Sequence, residues 1–211
     1  MIYEMRTYTF NAGALPKYIE VAQNIGRPVR GNDYGHNYGY WIAEHGALNQ
    51  IWHLWSYDSF AERDRLRGEL AKNKRWTEEY VPAIRPLLAR QDLRLWNGVL
   101  PVKPPAESGN IYELRIYRTN VGQAKPWSEL FKAVMPAREK YSKNVGVWTG
   151  EFPQPNEVAH MWAYKDGVAR AAARAAVQQD PEWKDFLAKA GGMLAEMQST
   201  LLIPAPFSSM K

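Results

Sequence analysis

Ile2-Tyr3-Glu4-Met5-Arg6-Thr7-Tyr8 returns as Ile111-Tyr112-Glu113-Leu114-Arg115-Ile116-Tyr117, and the fold is read outward from this recurrence. A second stretch, Asn49-Gln50-Ile51-Trp52-His53-Leu54-Trp55-Ser56-Tyr57, returns as Asn156-Glu157-Val158-Ala159-His160-Met161-Trp162-Ala163-Tyr164. The offsets are 109 (111 − 2) and 107 (156 − 49), so the first copy is two residues longer between the two stretches. Trp41/Trp148, Glu44/Glu151, Arg63/Arg170, Arg67/Arg174 and Trp76/Trp183 keep the 107 register. A period of roughly 100 residues belongs to duplicated domains, since solenoid repeats are several-fold shorter. The sequence therefore predicts a first repeat over 1–97, a linker over 98–109 and a second repeat over 110–211. Pro101, Pro104 and Pro105 in that linker oppose both helix and central strand and predict a stiff, extended connection.

Each repeat reads in the same order. Residues 2–10 and 111–118 alternate as strands. An amphipathic helix follows: Trp127, Leu130, Phe131 and Val134 keep helical spacing, as do Leu15, Tyr18, Ile19, Ala22 and Ile25 in the first copy. Residues 38–44 and 49–57 read as a hairpin, repeated at 145–151 and 157–164. Ser59, with Glu62 three residues later, has capping-box spacing, and Asp166, Asn73 and Asp180 are further helix caps. A final strand falls near 91–97 and 198–203. The pattern β-α-β-β-α-α-β is a ferredoxin-like split βαβ whose second helix is broken in two. The expected fold class is α+β: two tandem ferredoxin-like repeats whose antiparallel sheets pack face to face.

Composition narrows the function. Nine Trp and twelve Tyr supply large apolar bodies with polar tips that need partners when buried. The absence of cysteine excludes disulfides and thiolate metal sites. The opening residues lack the basic start and apolar run of a signal peptide, and no apolar stretch reaches the roughly 18 residues of a membrane span. A cytoplasmic protein without membrane insertion is expected. The net charge of +5 is mild, and the bases between Glu62 and Glu79 alternate with acids, so no nucleic-acid partner is expected.

Side-chain alternation then selects candidate site residues. Tyr3, Met5 and Thr7 form one row of the first strand and, being mainly apolar, are expected to face the helices. Glu4, Arg6 and Tyr8, repeated as Glu113, Arg115 and Tyr117, form the other. With His53 and Trp55 (His160 and Trp162) they are expected in the space between the sheets. A carboxylate beside an imidazole is the material of general acid-base catalysis, which makes Glu4 and His53 the catalytic candidates. Arg6, Tyr8, Trp41, Trp55, Glu113, Arg115 and His160 are the substrate-binding candidates, an arginine fork suiting a ligand carboxylate. The same row also reads as a buried, mutually satisfied network that fixes strand register. Arg63/Arg67 and Arg170/Arg174 are expected to pair with carboxylates of the following helix, with an anion site as the alternative. Gly39 and Gly146 are expected to permit a bulge or close backbone approach. Neither a metal nor a cofactor is expected, because the spacing of His53, His160, Glu4 and Glu113 matches no metal motif.

The strand Tyr3–Tyr8, the Gly39-Tyr40-Trp41…Glu44 strand, the Asn49–Ser59 segment and the Glu62-Arg63…Arg67…Leu70 helix leading to Trp76 together resemble the NIPSNAP family. The second half departs at Lys165-Asp166-Gly167, which stands for Asp58-Ser59-Phe60, and at Ala159, which stands for Trp52. The resemblance implies the dimeric α+β-barrel superfamily, here as a pseudo-dimer within one chain. That superfamily holds cofactor-less monooxygenases, haem-degrading enzymes and small isomerases. Its haem enzymes use a helix-borne histidine, whereas His53 and His160 lie on predicted strands. The expected function is small-molecule binding, or cofactor-less monooxygenase- or isomerase-like catalysis, in the interior between the sheets. The alternative is a non-catalytic interaction or assembly module with a packed barrel. A small-molecule ligand is the expected partner, and a homo-oligomer the expected assembly.

Overall fold

A computed structural model describes residues 1–211 as two compact units, Met1–Leu95 with Ile203–Lys211 and Trp96–Leu202.

In the first unit, β1 (Ile2–Phe10) pairs antiparallel with β3 (Gln50–Tyr57), and β2 (His36–His45) pairs with β3 on its other side. The helix expected after β1 is split into α1 (Leu15–Val21), a π-helical turn (Ala22–Gly26) and α2 (Arg27–Arg30). A Cβ on Gly26 would stand 2.4 Å from the ring of Tyr80, so only glycine allows this approach. Then α3 (Phe60–Leu70) opens as the capping spacing predicts, with Ser59 Oγ accepting from the Glu62 backbone N–H at 3.1 Å. A second π-helical stretch (Arg75–Tyr80) leads into α4 (Val81–Ile84), and β4 spans Leu88–Leu100. The strand thus begins earlier than expected and takes in Gly98 of the predicted linker. The C-terminal tail completes this unit: Ala205 N–H donates to the Tyr40 carbonyl at 2.9 Å, and Tyr40 N–H to Ser208 Oγ at 2.9 Å.

The second unit repeats the plan with β5 (Ile111–Thr119), an unbroken α5 (Ala124–Arg138), β6 (Lys143–Phe152) and β7 (Glu157–Tyr164). It continues through α6 (Gly167–Val177), α7 (Pro181–Ala190) and β8 (Leu194–Pro204). Asp166 and Asp180 cap α6 and α7 through their carboxylates, at 2.8 and 3.1 Å. Strand β5 pairs with both β7 and β8.

Both hairpins carry a register shift at matching positions, Asn37/Gly39 and Asn144/Gly146. An added Cβ on Gly39 would meet the Trp41 ring at 2.6 Å, and one on Gly146 the Trp148 ring at 2.5 Å. Both indoles are fully buried and cannot withdraw. Gly146→Ala is expected to destabilise by about 1–3 kcal/mol, the usual cost of overpacking a core, read by urea unfolding. Unchanged stability would show that Trp148 can shift aside.

The orientation of the polar row differs from expectation. Glu4, Arg6, Tyr8, His53 and Trp55 lie on the helix-facing side of the first sheet, not toward a space between sheets. Glu4 pairs with Arg63 and Arg67 of α3, Tyr8 packs edge-on against Tyr18 of α1, and Arg30 of α2 covers Trp55. The second unit agrees: Glu113 pairs with Arg170 and Arg174 of α6, His160 packs on Phe131 of α5, and Arg138 covers Trp162. Trp41 is a further correction. Its Cα partner is Trp52, whereas Tyr40 is opposite His53, so Trp41 lies on the face away from the polar row. The apolar-row argument fails because both faces are buried: every residue of β3 and of β7 is buried. With no solvent-facing side, hydrophobicity does not distinguish the faces. The charges go where guanidinium partners are, and those are on the helices.

Candidate functional site beneath the helices

Glu4 anchors the first unit's polar row. Its side chain is fully buried and accepts from Arg6 Nη1 at 2.9 Å and from Arg63 Nε at 2.5 Å, with Arg67 Nη1 at 3.7 Å. Burial raises the proton affinity of this carboxyl, but Arg6, Arg63 and Arg67 together outweigh burial and hold its pKa below the usual carboxylate range. Glu113 repeats the arrangement: Arg170 Nη2 at 2.7 Å, Ser199 Oγ at 2.8 Å, and Arg115 and Arg174 each at 3.5 Å. The helix arginines therefore pair with the first strand of each repeat, not with carboxylates of the following helix as expected. Long-range pairing of this kind is invisible to local spacing rules.

The histidines are the second shared element. Trp55 Nε1 donates to His53 Nδ1 at 2.6 Å, and Trp162 Nε1 donates to His160 Nδ1 at 2.6 Å. An indole N–H can only donate, so each Nδ1 is the acceptor and a neutral ring carries its proton on Nε2. Burial, followed by the nearby arginines, pushes both histidines well below the ordinary imidazole pKa, so they are neutral at physiological pH. Tyr40 stacks on His53 with centroids 4.8 Å apart and Tyr8 meets it edge-on, and His53 Nε2 has no hydrogen-bond acceptor.

In the second unit these groups border a cavity of about 190 Å³ under α5, α6 and α7. Arg115, Arg138, Arg174 and His160 supply its polar wall; Trp127, Phe131, Trp183 and Phe186 supply its aromatic wall. No carboxylate lines it. Two buried N–H donors of the lining, Trp127 Nε1 and Trp183 Nε1, have no hydrogen-bond acceptor, and a third, Arg115 Nε, meets only Glu113 Oε1 at a long 3.5 Å. Buried donors usually have a partner, so this clustering calls for a ligand rich in acceptors. In the first unit a cavity of about 280 Å³ is bordered by Arg6, Tyr8, Arg30, Arg67, Trp76 and Tyr80, among others.

Of the sequence candidates, the structure brings Arg115 and His160 to the second cavity and Arg6 and Tyr8 to the first. Trp55 and His53 support the first cavity's wall from beneath through Arg30, whose guanidinium carbon lies 3.4 Å from the Trp55 ring centroid. Sequence reasoning missed Arg30 and Arg138. They lie 108 residues apart (138 − 30), between the two registers that reveal the repeat, because the first-copy helix is interrupted by a π turn and α5 is not. An alignment allowing a one-residue slip inside that helix would have found them. No three His, Asp or Glu side chains are grouped to hold a metal ion.

The NIPSNAP family model matches residues 3–98 and 112–209, one match on each repeat. The chain belongs to the NIPSNAP family. It is 32% identical over 221 residues to human protein NipSnap homolog 3B, covering 99% of this chain and 85% of that one. Among solved structures, monooxygenase-like proteins of Fusobacterium nucleatum and Lactobacillus acidophilus share its fold. The first has a TM-score of 0.72 at 12% identity, covering 97% of this chain and 92% of its own. The second has a TM-score of 0.68 at 15% identity, covering 96% and 92%. The fold class of this NIPSNAP chain is therefore α+β, that of the monooxygenase-like α+β barrel proteins. No helix is long and apolar enough to cross a membrane.

Proposed function

We propose that this NIPSNAP protein binds small organic anions in cavities beneath its helices, and that the second unit's site takes a planar aromatic carboxylate. The observation that carries this reading is a cavity lined by three arginines and no acid, into which the acceptor-less Trp127 and Trp183 N–H groups and the loosely held Arg115 Nε are gathered. A dry apolar cavity of about 150 Å³ holds benzene, so about 190 Å³ suits a single ring bearing a carboxylate. The carboxylate would accept from Arg115 and its neighbours, and the ring would lie between the Trp127, Phe131 and Trp183 faces.

Proton transfer by Glu4 and His53, the catalytic roles expected from sequence, has less support from the same geometry. Each Glu4 oxygen is already engaged by a guanidinium, and His53 Nδ1 is occupied by the Trp55 indole. An oxygenase- or isomerase-like activity rests on likeness of fold, which does not carry chemistry with it. The packed assembly module, the other reading of the sequence, is disfavoured by an open cavity with unsatisfied donors.

Benzoate is expected to bind and raise the unfolding temperature of the intact chain. Arg174→Gln, which removes a partly exposed cavity arginine, is expected to weaken that binding roughly tenfold, the usual cost of a lost hydrogen bond to a charged group. Titration calorimetry with benzoate on both proteins decides it. No heat and no thermal shift at millimolar benzoate would overturn the proposal.

A further inference from the structure

The two cavities occupy matching places but have diverged in chemistry. Arg85 opens the 3-10 turn that borders the first cavity, and the residue that opens the matching turn beside the second cavity, Gly191, has no side chain. Conversely Trp127 and Phe131 correspond, in the 109 register, to Tyr18 and Ala22. The first cavity has thus gained a cation and given up aromatic wall. Arg6, Arg30, Arg67 and Arg85 all border it, from β1, α2, α3 and the turn after α4, and no carboxylate does. The only carboxylate beneath is Glu4, whose two oxygens are engaged by Arg6 and Arg63. Four guanidiniums against that one acid leave three positive charges unmatched.

Arg30 strengthens the case. It is 3% exposed and donates through Nη2 to the Tyr57 hydroxyl at 2.9 Å, yet its Nε has no acceptor. Arg67 reaches Glu4 only at 3.7 Å, an ion pair beyond hydrogen-bond range, so its fork makes no hydrogen bond to that carboxylate. Arg85 is exposed at the rim.

We propose that the first unit's cavity is a second, chemically distinct site, built for the dianionic phosphate of a small phosphomonoester. A phosphomonoester carries close to two negative charges near neutral pH and three acceptor oxygens, which several planar forks satisfy bidentately. A monocarboxylate would neutralise less of this charge. Trp76 and Tyr80 border the same space and can stack on the organic part. Adjacent arginines lower one another's tendency to hold charge, and Arg67 shows this: burial and then Arg6 depress its pKa. A bound dianion would relieve that repulsion.

The test is titration calorimetry of the intact chain with phenyl phosphate and with inorganic phosphate, in the presence of saturating benzoate so that the second unit's site is filled. Phenyl phosphate is expected to bind at one site per chain. Arg67→Gln and Arg85→Gln are each expected to weaken it roughly tenfold, the cost of losing a charge-assisted hydrogen bond. Arg118→Gln, which removes an exposed arginine on β5 paired with Glu196, is expected to leave it unchanged. Inorganic phosphate binding as tightly as the ester would identify free phosphate as the ligand, and weaker binding would identify the ester. If Arg67→Gln folds poorly, the exposed Arg85 carries the test alone. Binding that survives Arg67→Gln and Arg85→Gln, displacement of phenyl phosphate by benzoate, or no binding at millimolar phosphate would each overturn the proposal. Benzoate binding measured without phosphate fails or succeeds separately.

Discussion

Glu4→Gln is expected to lower stability by about 3–5 kcal/mol at neutral pH, the cost of removing one partner from a buried ion pair. Glutamine keeps the shape, so the loss reports charge. Arg6 and Arg63, with side chains only 13% and 14% exposed, would keep their charge without the carboxylate that offsets it. The pH dependence follows from the lowered pKa of Glu4. In the unfolded chain the group titrates near 4.5; in the folded protein it titrates lower. Its stabilisation is therefore fully present above the unfolded value and is lost as pH falls through the folded one. The gap between wild type and Glu4→Gln should be widest at neutral pH and close under acid. Urea unfolding of both proteins at neutral and acidic pH measures it. A variant as stable as wild type at neutral pH would mean that water reaches the arginines and that the pair is not truly buried.

His53→Ala and His160→Ala are each expected to cost about 3 kcal/mol, combining an orphaned buried indole N–H with the space the ring vacates. The short bonds from Trp55 and Trp162 are what would be lost. Here too the sign of the pH effect is fixed. Both histidines have folded pKa values depressed below the ordinary 6.5. As pH falls below that value the unfolded chain takes up protons that the folded protein refuses, so stability declines, by up to about 1.4 kcal/mol per pH unit for each ring. This window lies above the one set by Glu4, so the two effects separate. Thermal unfolding across pH 5 to 8 should show a slope in wild type that shrinks in either variant. A flat wild-type profile over that range would contradict neutral, buried imidazoles.

The repeat, the strands, the helix caps and the bulging glycines were all legible in the sequence, because each depends on local chemistry. Two copies of one pattern point to a duplicated unit; alternation identifies a strand; an Asp or Ser at the right offset satisfies the first free N–H groups of a helix. The NIPSNAP resemblance was equally local, resting on short strings of residues. Glu4, Arg6, Tyr8 and His53 could be recognised as one row because side chains on a strand alternate by geometry alone.

Which way that row faced was decided only by tertiary structure. Alternation says that Glu4 and Met5 point in opposite directions, and nothing in the spacing says which direction leads to the helices. The usual guide, apolar toward the core, has no force when both faces are buried. The partners that settle it, Arg63 and Arg67, are about 60 residues away in sequence, and their attraction to Glu4 appears only once α3 lies over β1. The same distance hid Arg30 and Arg138, whose shared role emerges when each guanidinium covers a strand tryptophan. Local patterns fix what a segment becomes; the pairing of charges across the fold decides where its chemistry faces.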